Sequence, residues 1–219
     1  MDQQGSSFTA DDFRLRAAAH GLPLHDPAVM APGAPGLRGD HELNGGLLDS
    51  IAPESYRMAA VLVPVIDRPA EASVLLTRRS ADMPSHAGQI AFPGGKMENG
   101  DATLVETALR EAREEIGLAP DLVKPIARLD TYHTRTGFRI VPILGVVAPG
   151  FELVPDTREV DDVFEVPLEF LMTVANHQRH SLMWQGRERY FYAMPYGERY
   201  IWGATAGILR IMYERLYAE

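Results

Sequence analysis

The sequence predicts a mixed α+β sandwich, and three observations lead there. The 219 residues are 46% hydrophobic and 23% charged, an ordinary globular composition with enough apolar material for one sizeable core. Strand-like runs and helical periods intermix without a regular βα repeat, which disfavours a doubly wound sheet. One amphipathic helix lies mid-chain and another closes it.

In chain order, residues 9–20 (TADDFRLRAAAH) read as a short helix. Thr9 is its N-cap, and Asp11 and Asp12 in the first turn suit the helix dipole. Residues 21–46 carry Pro23, Pro27, Pro32 and Pro35 with six glycines, the composition of an irregular arm. The domain division is therefore an N-terminal helix and arm over residues 1–55 and a main domain over 56–219. RMAAVLVPVID and ASVLLTRRS are buried strands joined by a turn at Asp67-Arg68-Pro69-Ala70. QIAFP is a short strand ending at Pro93. A glycine-rich loop, GGKMENGD (94–101), leads into a helix over 103–116. KPIARLDTYHT and FRIVPILGVV are strands around Thr136-Gly137. VFEVPLEFLMTV is a strand entering a short helix. QRHSLMWQ and RERYFYAMP form a hairpin around Gln185-Gly186, and GATAGILRIMYERLY is the closing helix. Met172, Met183, Trp184, Met194 and Trp202 read as packing.

The chain has no cysteine, which excludes a disulfide scaffold, a zinc finger and a thiol nucleophile. No apolar run reaches the roughly 18 residues of a membrane span, and MDQQGSSFTADDF lacks the features of a signal peptide. A cytoplasmic protein without membrane association is the expectation. The formal net charge of −9 argues against nucleic-acid binding. An anionic substrate then needs a metal ion or a local basic cluster to receive it.

The helix over 103–116 carries the chemistry. At about 100° per residue, Val105, Ala108, Leu109, Ala112 and Ile116 share one face as a core stripe, and Gly117 is a natural stop. Glu111 and Glu115 stack one turn apart at the edge of this stripe. Glu114 lies further round, and Arg110 can brace Glu106 or Glu114. A like-charge pair four residues apart is unfavourable, increasingly so as water is excluded. Glu111 and Glu115 at a core edge call for a cation, and a hard divalent ion, Mg²⁺ or Mn²⁺, suits clustered carboxylates. Taken alone, the helix is explained equally well as a solvated acidic face with arginine partners.

The preceding loop shifts that balance. Gly95, Arg110, Glu111, Ala112, Glu114, Glu115, Gly117 and Leu118 together resemble the Nudix signature, Gly-x5-Glu-x7-Arg-Glu-U-x-Glu-Glu-x-Gly-U. Three departures occur. Ala112 is small where U, a bulky apolar residue, is expected. Asp101 stands where Glu is expected, and eight residues separate it from Arg110. The upstream run TRRSADMPSHAGQIAFPGG (77–95) resembles the block of the coenzyme A pyrophosphatase subgroup through Arg79, Ser80, His86, Gly88, Gln89, Ala91, Phe92, Pro93, Gly94 and Gly95. Residues 159–168 and 201–210 are similar to that subgroup as well. The resemblance spans Tyr56 to the C-terminus.

This resemblance implies an α/β/α sandwich with a mixed sheet, a divalent-ion cofactor (Mg²⁺ or Mn²⁺), and hydrolysis of the pyrophosphate bond of coenzyme A to 3′,5′-ADP and 4′-phosphopantetheine. CoA esters and oxidised CoA are further candidate substrates. Carried over by position, Glu111 and Glu115 are primary metal ligands. Glu114 serves a second ion or reaches metal through water, and the Gly95 carbonyl completes the shell. Arg110 orients the glutamates. Glu159 is the candidate general base and His133 its rival. Arg79, Lys96, Arg135 and Arg139 are candidates for receiving phosphates, with His86 and Gln89 as substrate-side candidates. Tyr132 or Phe138 would stack on adenine if not in the core. Partners are a small-molecule substrate and, with residues 1–55 as candidate cover for the cleft or a dimer surface, a second copy in a homodimer. The competing readings are a Nudix hydrolase for ADP-ribose or a dinucleotide, and a catalytically silent nucleotide-binding module.

Overall fold

A computed structural model describes residues 8–31, 37–45 and 56–218. The readings of residues 1–7, of Pro32 and Pro35 in the arm and of residues 46–55 lie outside these. Among the described residues the strands form an eight-stranded mixed sheet and a separate three-stranded sheet. The large sheet is built on β1 (Arg57–Ile66), paired in parallel with β7 (Phe138–Val147) over ten residues and antiparallel with β2 (Ser73–Arg79). β3 (Ile90–Ala91) and β8 (Val160–Pro167) pair with β2. β5 (Val123–Arg128) and β6 (Tyr132–His133) pair with β7.

Side-chain alternation makes this a three-layer structure. Ala60, Leu62 and Ile66 of β1 with Val141, Ile143 and Val147 of β7 face one side. There they pack on Ala108, Ala112 and Ile116 of α2 (Leu104–Ile116). Val63, Val65, Leu144 and Val146 face the other side, against Phe13 of α1 (Ala10–His20), Leu171 of α3 (Leu168–Met172) and Leu209 and Met212 of α4 (Ala204–Leu216). Both faces of β1 and β7 are covered, so these strands read as continuous apolar runs. α1 is part of this core: Phe13 is fully buried, and the Thr9 side chain caps it by accepting from the Asp12 N–H. The chain after α1 is stitched to the sheet edge by reciprocal Leu22–Arg128 backbone bonds and an Arg38–Tyr132 bridge.

Several elements differ from expectation. The run 124–134 is two strands, with β5 bulged near Pro125 and a break at Leu129–Thr131. Gly94–Lys96, read as loop, forms β4 on β1. A further strand, β11 (Arg199–Trp202), completes the small sheet with β10 (Arg187–Tyr196) and β9 (Gln178–Trp184). Met172 and Met194 are buried, whereas Met183 and Trp184 are exposed on the hairpin and do not pack.

Candidate active site

α2 is positioned by strong ends. The Thr103 hydroxyl accepts from the Glu106 N–H, and Glu106 accepts from the Ala102 N–H. Gly117, at φ 70°, closes the helix with its N–H on the Arg113 carbonyl, a left-handed turn that glycine takes without strain. Ala108, Ala112 and Ile116 are buried as the periodicity requires, while Val105 and Leu109 are only partly so. The stripe fixes the helix rotation and so aims Glu111 and Glu115 at the β4 side of the sheet.

Glu115 is 5% exposed. One carboxylate oxygen accepts from the Gly94 N–H at 3.0 Å. The nearest guanidinium is that of Arg79, 3.9 Å away. Burial raises its pKa to about 7, and Glu111 and Glu159 push in the same direction, against the Gly94 N–H and Arg79. Glu111 is raised too, chiefly by burial, with Arg110 opposing. Two carboxylates desolvated this far are under-neutralised by protein alone. The donor set fits a hard divalent cation. Among the described residues no three acidic or histidine side chains are already gathered as a finished metal shell; the pair is held by protein donors instead.

Gly95 is a cradle for one of these groups. A Cβ there would lie 2.5 Å from Glu111 Oε1 and 2.6 Å from its Cδ, so the carboxylate rests on the bare backbone. Gly95→Ala is therefore expected to expel the Glu111 carboxylate and lower turnover by about 10²-fold, as for loss of one preorganised group in a site, with the fold retained by circular dichroism. Unchanged kinetics would show that the Glu111 position does not matter.

Arg110 organises the acidic face. Its Nε and Nη2 donate to both oxygens of Asp101 (2.9 and 3.0 Å), Nη1 donates to Glu111 (3.0 Å) and Glu114 (2.9 Å), and Nη2 also reaches the Lys96 carbonyl. Asp101 further accepts from the Glu98 N–H and Thr107 hydroxyl, and the Arg110 bonds hold its carboxyl well below the usual range. This explains the departure from the signature. The shorter acid, one residue further off, still anchors the arginine. Its anchoring part was missed from sequence, although Asp101 stood at the expected spacing from Gly95. With every direction of its fork engaged, Arg110 positions carboxylates and has no donor aimed at a ligand. An open groove of about 610 Å³ beside Asp101, Arg110 and Glu114 lies on this outer face and does not include Glu115.

Glu159 and Arg79 approach from the neighbouring strands. The Ser80 N–H donates to the Glu159 carbonyl, and the Asp156 N–H donates to the Glu115 carbonyl. These bonds bring the loop before β8 to the end of β2 and to α2. The Glu159 side chain is exposed yet close enough to act electrostatically on both Glu111 and Glu115. Arg79 is pinned at the end of β2 by backbone bonds to Gln89 and Gly88, and His86 and Gln89 bond each other at 2.9 Å on an exposed loop. The Lys96 side chain is exposed at the end of β4.

Three candidates fall away. His133 is 6% exposed. Its Nε2 accepts from Arg139, and burial followed by the Arg139 charge lowers its pKa to about 4, so it is a neutral core histidine and not a base. Arg139 is itself buried, bonding the Ala31 carbonyl at 2.9 Å, and is not a phosphate receptor. Tyr132 is a core residue whose hydroxyl donates to Asp40, and it is unavailable for stacking. Phe138 lies under the Arg57 guanidinium.

The NUDIX domain family model matches residues 56–185. The chain belongs to the Nudix hydrolase family. This Nudix chain is 40% identical over 156 residues to the protein named Uncharacterized Nudix hydrolase NudL of Klebsiella pneumoniae (strain 342), covering 71% of this chain and 81% of that one. The protein of the same name from Pectobacterium atrosepticum is 38% identical over 153 residues, 70% of this chain and 79% of that one. A solved structure titled as a Nudix hydrolase from M. smegmatis, RenU, aligns with 24% identity and TM-score 0.44 over 51% of this chain and 70% of that one. Nudix hydrolases cleave diphosphate linkages and generally use divalent ions such as Mg²⁺ or Mn²⁺. Among the described residues no helix is long and apolar enough to cross a membrane.

Proposed function

We propose that this Nudix hydrolase cleaves the pyrophosphate bridge of coenzyme A, releasing 3′,5′-ADP and 4′-phosphopantetheine. The observation that carries the reading is the run Arg79–Gly95, which resembles the coenzyme A pyrophosphatase block and forms one wall of the acidic site. It contributes the cation nearest Glu115 and the Gly94–Gly95 backbone under Glu115 and Glu111.

Glu111, Glu115 and the Gly95 carbonyl would hold the divalent ion, with Glu114 toward a second. A divalent ion held there would supply positive charge for the phosphate oxygens and would acidify water. Arg110 holds Glu111 and Glu114 in place from behind. Glu159, exposed beside the pair, takes the proton of the attacking water. Arg79 and Lys96 offer positive charge to the diphosphate, which a chain of net charge −9 otherwise repels. His86 and Gln89 sit on the substrate side of the same loop.

The test is hydrolysis by the full chain with Mg²⁺ or Mn²⁺ over a panel of CoA, CoA esters, oxidised CoA, ADP-ribose and dinucleotides, with products weighed by mass spectrometry. Release of 3′,5′-ADP from CoA at the highest kcat/KM supports the reading. A strong preference for ADP-ribose or a dinucleotide overturns the substrate, and no turnover of any of them overturns the enzyme.

A further inference from the structure

The three-stranded sheet has a feature that the hydrolytic site does not use. β9 is its edge strand, paired to β10 in unbroken register from Gln178 to Trp184, and no described strand lies on its outer side. An open row of backbone donors and acceptors is a template for another strand, and proteins commonly block it with Pro, Lys, a bulge or a charge. β9 (QRHSLMW) has no Pro, no Lys and no bulge. Its one arginine, Arg179, is drawn over the Tyr190 ring and toward the Leu43 carbonyl.

The polarity of that edge is readable. Asn44 bonds both the N–H and the carbonyl of Tyr190, at 3.0 and 2.9 Å, so these groups point away from β9. Tyr190 faces Ser181, which makes the two a non-hydrogen-bonded pair within the hairpin. The N–H and carbonyl of Ser181, and by alternation those of Arg179 and Met183, therefore point to the open edge.

Apolar exposure is concentrated here as well. Of eight exposed large hydrophobic residues among those described, four are on this small sheet: Leu182 (36%), Met183 (69%), Trp184 (53%) and Tyr200 (41%). Leu182 and Trp184 share a face with His180, which contacts the Phe191 and Tyr200 rings.

We propose that two copies of this chain associate through the outer edge of β9, antiparallel about a twofold centred on Ser181. That centre pairs all seven residues of the strand with the same seven of the second copy. It places Ser181 opposite Ser181 with both outward-pointing backbone groups facing, the arrangement a hydrogen-bonded pair requires. Arg179 then lies across from Met183, His180 from Leu182 and Gln178 from Trp184, so no like charges are opposed. The contact is isologous and closes as a dimer. The strand carries no acidic residue in a chain of net charge −9, which makes this edge a favourable approach for two such molecules.

The test is sedimentation velocity of the full chain from about 1 to about 100 μM, where an interface of modest area associates. The expected result is a concentration-dependent doubling of the 24.2 kDa mass. Ser181→Pro removes an outward-pointing N–H and the exposed hydroxyl bond to Glu188 but none of the backbone bonds to β10, so the hairpin is kept while the dimer is lost. Leu182→Lys, checked for native circular dichroism and melting, supplies a second disruption that leaves the backbone alone. Because the chain has no native cysteine, a disulfide-linked dimer of Ser181→Cys under mild oxidation places the twofold directly. A monomer at every concentration overturns the proposal. So does a dimer that both disrupting variants leave intact and that gives no Ser181→Cys cross-link.

Discussion

Glu115→Gln is expected to lower turnover by at least about 10³-fold, roughly 4 kcal/mol of transition-state stabilisation, while leaving the metal-free fold at least as stable as the parent. The two halves of this expectation have one cause. Glu115 is buried, receives one backbone N–H and stands 3.9 Å from Arg79. It also faces like charge from Glu111 and Glu159. A carboxylate so placed is a cost to folding, which the cation of the proposed function would offset. The amide keeps an oxygen for the Gly94 N–H and removes the buried charge, so the fold does not suffer, but the ion loses a ligand. The measurement is kcat with saturating Mn²⁺ beside thermal melts in chelator. Near-normal turnover would remove Glu115 from the chemistry and favour a silent binding module. A collapse of stability would make it a structural residue.

The stability of the metal-free parent relative to metal-free Glu115→Gln is expected to rise as pH falls from about 7.5 to about 5; the difference isolates Glu115 from buried His133, whose lowered pKa acts in the opposite sense. In the folded protein Glu115 titrates near 7 because of burial, while in the unfolded chain it titrates near the ordinary glutamate value of about 4.3. Between those values the folded state binds the extra proton, so stability falls as pH rises through the window. The full effect is about 4 kcal/mol, from the difference between those two values at about 1.4 kcal/mol per unit. It is fully present below the unfolded value and lost above the folded one. Saturating Mn²⁺ should flatten the dependence, because the ion stabilises the charged form and competes with the proton. Melts of the parent and of Glu115→Gln in chelator across this range check the sign, and a difference that increases from pH 5 to 7.5 would contradict it.

What the sequence revealed follows the range of the interactions involved. α2 was legible in full, because its stripe, its spacing of Glu111 and Glu115, and its Gly117 stop are all set within one helix. β1, β2 and β7 were legible because strands covered on both faces are apolar throughout. β4 was not, since Gly94–Lys96 has no strand propensity and becomes a strand only by lying on Ala59–Val61 of β1. The break at Leu129–Thr131 was hidden because the run before it is strand-like, and its edge is set by the distant Leu22 and Arg38. Arg139 and His133 carried the right chemistry at the end of a strand, but the N-terminal segment that buries them could not be placed. The hairpin residues Met183 and Trp184 looked like core by type alone, and only the sheet arrangement shows that no described layer covers them. The proximity of Glu159 to Glu115 likewise depends on the β2–β8 pairing and the Ser80–Glu159 bond.

In the proposed site Glu111 and Glu115 together grip a divalent ion over the Gly94–Gly95 backbone. The most direct measurement is anomalous scattering from a crystal of the full chain grown with Mn²⁺. A peak is expected within coordination distance of oxygens from both glutamates. A peak elsewhere, with Glu111 still on Arg110 and Glu115 still on the Gly94 N–H alone, would contradict it.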